Sequence, residues 1–302
     1  MKYIYFDQST ISRLTNINDS IHTYIARLAN HPDFLIILSF EHIIESSALG
    51  AFKKESIDHF LRKTRNVRLI GHPIILLIFS LEQCAQKVLR RQLTTKMWND
   101  ILKEDPLDKE DFISLSNTIQ LDKLYKDSHQ KLILIWKQIT QIYSNLYGKR
   151  FTRNEIAGLK EPLPKEFLEI MSKSGFDKDD SINFISRIST PMQHGEWYEF
   201  AIINAFLGNS LTQNEIELVY EKWSAEKHLC PALTFYALMF KKHGVPQSGS
   251  FSDIIHLIML EFVDYMITDK PNINYLKSQL TDDHWKLYLS KLITNEDIEN
   301  IW

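Results

Sequence analysis

Gly249-Ser250-Phe251-Ser252-Asp253-Ile254-Ile255-His256-Leu257, followed by Phe262-Val263-Asp264-Tyr265-Met266-Ile267-Thr268-Asp269-Lys270, is the stretch from which the rest of the chain is read. Ser252 or Asp253 opens an apolar run, the pattern of a helix N-terminus. Leu257, Leu260 and Glu261 follow on helical spacing, and the helix fades near Glu261. Tyr265-Met266-Ile267-Thr268 predicts a short buried strand with Asp269 just past its end. One carboxylate from a helix start and one from a strand end thus reach the same rim. Mg²⁺ takes hard oxygen ligands and few of them from protein, so such a rim is where a divalent cation would be held. Asp264, at the other end of the strand, reads as structural.

The 302 residues suffice for one large or two modest domains, and 44% hydrophobic with 24% charged residues is ordinary for a globular protein. Nine glycines predict a mostly helical body with few tight turns. A net charge of −3 excludes a globally basic nucleic-acid protein. The charge is uneven, however. Residues 53–103 carry eleven Lys and Arg against four Asp and Glu, and residues 249–302 carry four against nine. An acidic site beside a basic surface suits an enzyme acting on polyanions. The basic segment is therefore expected to contact nucleic acid, with Arg62, Lys63, Arg65 and Arg68 near the rim and Lys87, Arg90 and Arg91 further out. Lys149, Arg150 and Arg153 are the alternative. Cys84 and Cys230, the two cysteines, sit in apolar helical patterns and fit a reducing cytoplasm. The apolar start of the chain is too short for a signal peptide, and Ile74 to Phe79 falls far short of a membrane span. No membrane association is expected.

In chain order, Lys2 to Phe6 reads as strand one and is followed by Asp7-Gln8-Ser9-Thr10. An acid there stands at the carboxyl end of a sheet, where open α/β folds bind ligands; taken alone it is a plain helix cap. A helix through Ile21, Ile25 and Leu28 leads to strand two, Phe34 to Leu38, a continuous buried run as in a parallel sheet. Ser39-Phe40 hands over to a helix in which Glu41 and Glu45 share a face, and either can point back to the strand ends. Strand three follows at Asn66 to Ile70. From 71 to 244 the texture is helical: a stripe of Leu77, Leu81, Ala85, Val88 and Gln92; a seam of Leu132, Ile135, Ile139, Ile142 and Leu146; a helix after Thr190-Pro191; a capping box at Thr212-Gln213-Asn214-Glu215; and a helix from Pro231 to Phe240. After Asp269 come a helix at Ile273 to Leu280, a strand at Lys286 to Leu289, and a helix capped by Thr294. The expected architecture is one α/β domain made from residues 1–70 and 245–302, with an all-α insertion at 71–244 lying outside its sheet.

The two ends resemble the PIN-domain family of metal-dependent nucleases. Asp7-Gln8-Ser9 looks like that family's first Asp-x-Ser/Thr/Asn step. The segment Ser39 to Glu45 looks like the helix that delivers a glutamate, with Glu45 the better match. Asp253 looks like the aspartate opening the penultimate helix, and Asp264 to Asp269 like the strand ending in Thr-Asp. Lys270 stands where many relatives carry another acid. The resemblance implies a PIN-like parallel sheet and a set of carboxylates, Asp7, Glu45, Asp253 and Asp269, that holds Mg²⁺ or Mn²⁺ and hydrolyses phosphodiesters of RNA, in some branches of DNA. Asp7 and Asp253 would be central. Asp269 and Glu45 would bind or orient a second ion or its waters, and Ser9 or Thr268 would hold a ligand water. It also admits a toxin or defence role and an inhibitory or regulatory protein partner. Clustered carboxylates raise one another's pKa, so such a set has little structural use without cations.

His256 and His42 read as hydrogen-bonded helix histidines, and His194-Gly195-Glu196-Trp197 as packing. No zinc spacing, phosphate loop, dinucleotide fingerprint or serine-nucleophile elbow is present. The competing expectation is a catalytically silent PIN-like scaffold that binds nucleic acid or protein through its helical middle.

Overall fold

The computed structural model describes residues 1–13, 20–47, 51–71, 73–94, 98–101, 141, 144, 148–150, 197–243 and 250–301. The expected seam residues Leu132, Ile135, Ile139, Ile142 and Leu146, and the expectations at Pro162, Pro164, Arg153, Thr190-Pro191 and His194 to Glu196, lie outside these residues.

Five parallel strands form one sheet: β1 (Lys2–Phe6), β2 (Phe34–Ser39), β3 (Val67–Ile70), β4 (Tyr265–Ile267) and β5 (Leu292–Ile293), in the order β3-β2-β1-β4-β5. Tyr5 aligns with Ile37 on one side and Met266 on the other. The sheet is covered on both faces, because successive side chains of a strand point to opposite sides. Ile4, Phe6, Ile36, Leu38, Val67, Leu69 and Ile267 face one helical layer. It is built from α1 (Gln8–Arg13), α2 (Ser20–Leu28), α3 (Phe40–Ser47) and α4 (Ala51–Lys63), joined by Ile298 and Ile301 near the end of the described chain. Tyr5, Ile37, Ile70 and Met266 face the other layer, which includes α5 (Ile74–Leu89), α6 (Trp98–Ile101), α7 (Trp197–Leu207), α8 (Gln213–Ala225), α9 (Pro231–His243), α10 (Ser250–His256) and α11 (Lys270–Gln279).

This division follows from handedness. The chain runs β1, β2, β3 in one direction across the sheet, so right-handed crossovers put their helices on one face. It then returns to β4 and β5 on the far side of β1, so the next crossovers cover the opposite face. The described helices of 71–244 are therefore the sheet's second cover and share its core, with Leu77, Leu81, Phe200, Trp223 and Phe235 in one apolar cluster with Tyr5 and Met266. The expectation of a helical middle outside the sheet is corrected to that extent.

Local signals explain the element ends. Thr212 and Glu215 form the expected capping box before α8. Arg90, in the left-handed region at φ 54°, ends α5, so Gln92 is not part of its stripe. The helix carrying Asp253 starts earlier than expected, at Ser250, and gives way to a 3-10 turn at Leu257–Glu261. Lys286–Leu289 is a short helix, α12, not a strand; the fifth strand is Leu292–Ile293. Thr294 caps the 3-10 helix Asn295–Ile301, accepting from the Asp297 amide at 3.2 Å. No helix among the described residues is long and apolar enough to cross a membrane.

Candidate active site

The strand order reverses between β1 and β4, and the crevice outside the carboxyl ends at such a point is where open α/β sheets bind ligands. Asp7 follows β1 and Asp269 follows β4 by two residues, so both stand at that crevice. Asp7 is buried. Its Oδ1 accepts from the Thr10 amide at 3.0 Å and lies 2.9 Å from the Thr10 hydroxyl, so one oxygen does cap α1. Its Oδ2 accepts from the Asp269 amide at 3.3 Å. Asp269 occupies the N-cap position of α11, yet its side chain makes no capping bond. It turns instead to Ser9, whose hydroxyl lies 2.7 Å from Asp7 Oδ1 and 3.0 Å from Asp269 Oδ1. A hydroxyl has one proton to give, so two carboxylates compete for it.

Asp253 lies inside the first turn of α10 and is not a cap. Burial pushes its carboxyl up to about 6; His256 opposes this, and Asp7, Glu45 and Asp269 add to it. The three other expected acids therefore all act electrostatically on Asp253. Glu45, on α3, is bound from behind: its Oε2 accepts from His256 Nε2 at 2.8 Å. Burial disfavours the charged imidazole of His256, but the bonded Glu45 carboxylate, with Glu41 and Asp7 beyond it, outweighs that and raises its pKa. The two glutamates differ in depth: Glu41 is fully buried, and Glu45 is the more accessible.

A relay runs inward from His256. Its Nδ1 is 2.6 Å from the Tyr5 hydroxyl, which is 2.7 Å from Ser39 Oγ, which is 3.1 Å from His42 Nδ1. The Ser39 amide donates to His42 Nδ1 at 2.9 Å, so that nitrogen carries no proton, and Nε2 donates to the Phe6 carbonyl at 2.7 Å. Burial, with His256 nearby, pushes the His42 pKa well down. A charged His256 and a neutral His42 satisfy every donor in this chain.

Sequence reasoning did not single out three further participants. Asn295 Oδ1 lies 2.8 Å from the Thr10 hydroxyl; it stands just after β5, and reading the fifth strand at its true position would have put it on the rim. Tyr5 is a polar tip in the central strand. Lys242, on α9, is held against Asn272. Thr268 is buried, and its hydroxyl accepts from Asn272 Nδ2 at 3.5 Å. Asp264 is at the opposite edge, accepting from the Tyr3 amide at 2.7 Å, as expected of a structural acid.

The expected nucleic-acid contacts are placed differently. A helix that follows a strand leaves the carboxyl rim and returns to the amino edge. Arg62 and Lys63 end α4, and Arg65 sits in the turn entering β3. That turn is tied to the turn entering β2 by Asn66, whose amide donates to Ala29 and whose side chain donates to His31. These residues lie on the edge away from the acids. Arg68 is the second residue of β3, near the same edge. Lys87, Arg90 and Arg91 are at the far end of α5, beyond Ser80, which reaches Glu261 shortly before β4 begins. Arg62 pairs with Asp58 and Arg91 with Glu215. Lys149 and Arg150 are exposed.

A divalent cation suits the donors at the rim: the groups are hard oxygens, two carboxylates share one hydroxyl proton, and Asp253 is pushed towards its neutral form by burial and by its neighbours. Among the described residues, no three His, Cys, Asp or Glu side chains stand together as a ready ligand set. No family model, curated protein or solved structure matches the chain.

Proposed function

We propose that this chain is a Mg²⁺- or Mn²⁺-dependent phosphodiesterase of the PIN-like kind, cutting single-stranded RNA in preference to DNA. The observation that carries the reading is that Asp7 and Asp269 share the Ser9 hydroxyl beside the point where strand order reverses, with Asp7, Glu45 and Asp269 all acting electrostatically on Asp253. Bound there, the ion would supply an activated water and neutralise charge on the phosphodiester. Asp7 Oδ2 and Asp253 are the central ligands in this reading. Asp269 contributes from the exposed side, and Ser9 orients it. Glu45 is steered by His256, which shares its charge and keeps it from competing for the same ion as strongly as Asp253. Cytoplasmic residence, a toxin or defence role and a restraining protein partner rest on the PIN resemblance and on the two buried free cysteines.

A second reading has one observation in its favour. The basic side chains gather at the amino edge, away from the acids, as they would on a scaffold that binds nucleic acid without cutting it. One experiment separates the two: metal-stripped protein, its Asp7→Asn variant and its Asp253→Asn variant are titrated with Mn²⁺ by calorimetry and incubated with labelled single-stranded RNA and DNA, with and without chelator. The nuclease reading expects Mn²⁺ binding and chelator-sensitive cleavage by the parent chain, both lost in either variant. RNA binding without cleavage, unchanged by Asp253→Asn, would establish the scaffold instead.

A further inference from the structure

The displacement of the basic segment to the far edge leaves a question of charge. A phosphodiester approaching four carboxylates is repelled, and the Arg and Lys residues read from the sequence are too far away to hold it. The rim does carry a cation that the sequence does not advertise. Lys242 is in the last turns of α9, in the described part of the helical middle, and it is half-buried. Its ammonium donates to Asn272 Oδ1, and it lies 5.6 Å from the centre of the Tyr275 ring. Asn272 is buried in the first turn of α11, three residues after Asp269, and its amide reaches back towards Thr268. The lysine is thus tethered to the start of the helix that Asp269 precedes, by one hydrogen bond and one aromatic face.

We infer that Lys242 is the residue that grips a non-bridging oxygen of the phosphodiester held at the acid rim. The inference rests on the phosphodiesterase reading above and deepens it by naming the group that holds the substrate. An ammonium has three donors, and Asn272 uses one. Burial lowers the pKa of Lys242, while Asp253 and Asp269 act to keep it charged. Lysine serves as a point charge for phosphate, which suits a site where carboxylates already fix the ion. A lysine that only balanced the acids would need no tether to Asn272.

The test is RNA binding by fluorescence anisotropy, with a short fluorescein-labelled single-stranded oligoribonucleotide and Ca²⁺ in place of Mg²⁺ to slow turnover. Lys242→Met keeps the stem and removes the charge; Lys242→Arg keeps the charge. Lys242→Met is expected to weaken binding roughly 10-fold to 100-fold and to lessen the log–log salt slope by about 0.7. Lys242→Arg should restore most of the affinity, and Mn²⁺ affinity by calorimetry should not fall in either variant, because the lost charge opposed the ion. Thermal melts of both variants check folding, and the arginine variant still decides the matter if the methionine variant is unstable. Parent-like RNA affinity in Lys242→Met, no RNA binding by the parent, or a Mn²⁺ affinity that moves together with RNA affinity would each overturn the inference. The broader reading fails separately: a parent chain that binds RNA through Lys242 but never cuts it keeps the phosphate grip and loses the hydrolysis.

Discussion

Asp253 is the residue on which the electrical state of the rim turns. Its carboxyl is pushed up to about 6, first by burial. A carboxylate that holds its proton more tightly in the folded chain than in the unfolded one stabilises the fold in acid and loses that contribution as pH rises. Metal-free protein should therefore lose stability from about pH 4 to about 6, and Asp253→Asn should remove that fall. His256, raised above its ordinary value, works in the same direction: its contribution is complete below about 6.5 and is lost as pH rises through its folded-state value. Melting temperatures across this range, for parent and variant, check both. A bound cation reverses the sign, because it needs the ionised carboxylate, so the Mn²⁺-induced rise in melting temperature should grow as pH passes about 6. At Ser9 the expectation is narrower. Ser9→Ala should leave the fold intact, since Asp7 keeps its bonds to Thr10, and should lower Mn²⁺ affinity about 10-fold to 100-fold.

At the scale of elements, α8 offers a clean check on local reading. Its capping box is complete, and its side chains at the cap are exposed, so Thr212→Ala should cost about 1 kcal/mol in denaturant unfolding without touching the rim. The strands were legible because each is a short apolar run ending at a polar switch. The acids at their ends were legible for the same reason: Asp7 and Asp269 follow directly from where β1 and β4 stop. Two things were not. β5 is two residues long, too short for periodicity to show, and with it went Asn295. The basic segment showed its charge but not its edge. Charge is a property of the segment, whereas the edge is set by which half of a crossover helix carries the charge, and Arg62, Lys63, Arg90 and Arg91 are all at the returning ends. Lys242 was hidden by distance in sequence, brought in by a helix that packs beside α10 and α11.

Among the described residues, one apolar cluster joins the sheet to the helices of 71–244. Leu81 on α5 and Trp223 on α8 are fully buried in one apolar body with Tyr5 and Ile37 of the sheet. Leu81→Ala should therefore destabilise the sheet as well as the helices, by about 2–5 kcal/mol. Tryptophan fluorescence and far-ultraviolet circular dichroism should report a single shared transition for parent and variant; two separated transitions would mean that the helical cover unfolds by itself.

The central pairing of β1 with β4 also sets a schedule. Asp7 and the amide of Asp269 that it accepts from are separated by 262 residues. At roughly 5–20 residues per second of synthesis, the first acid leaves the ribosome about 13–50 s before its partner exists. Throughout that interval β1 can pair with β2 but has a bare flank, and the rim has no second carboxylate beside Ser9. Whatever needs both acids waits through the same interval, and the delay is written into the order of the strands.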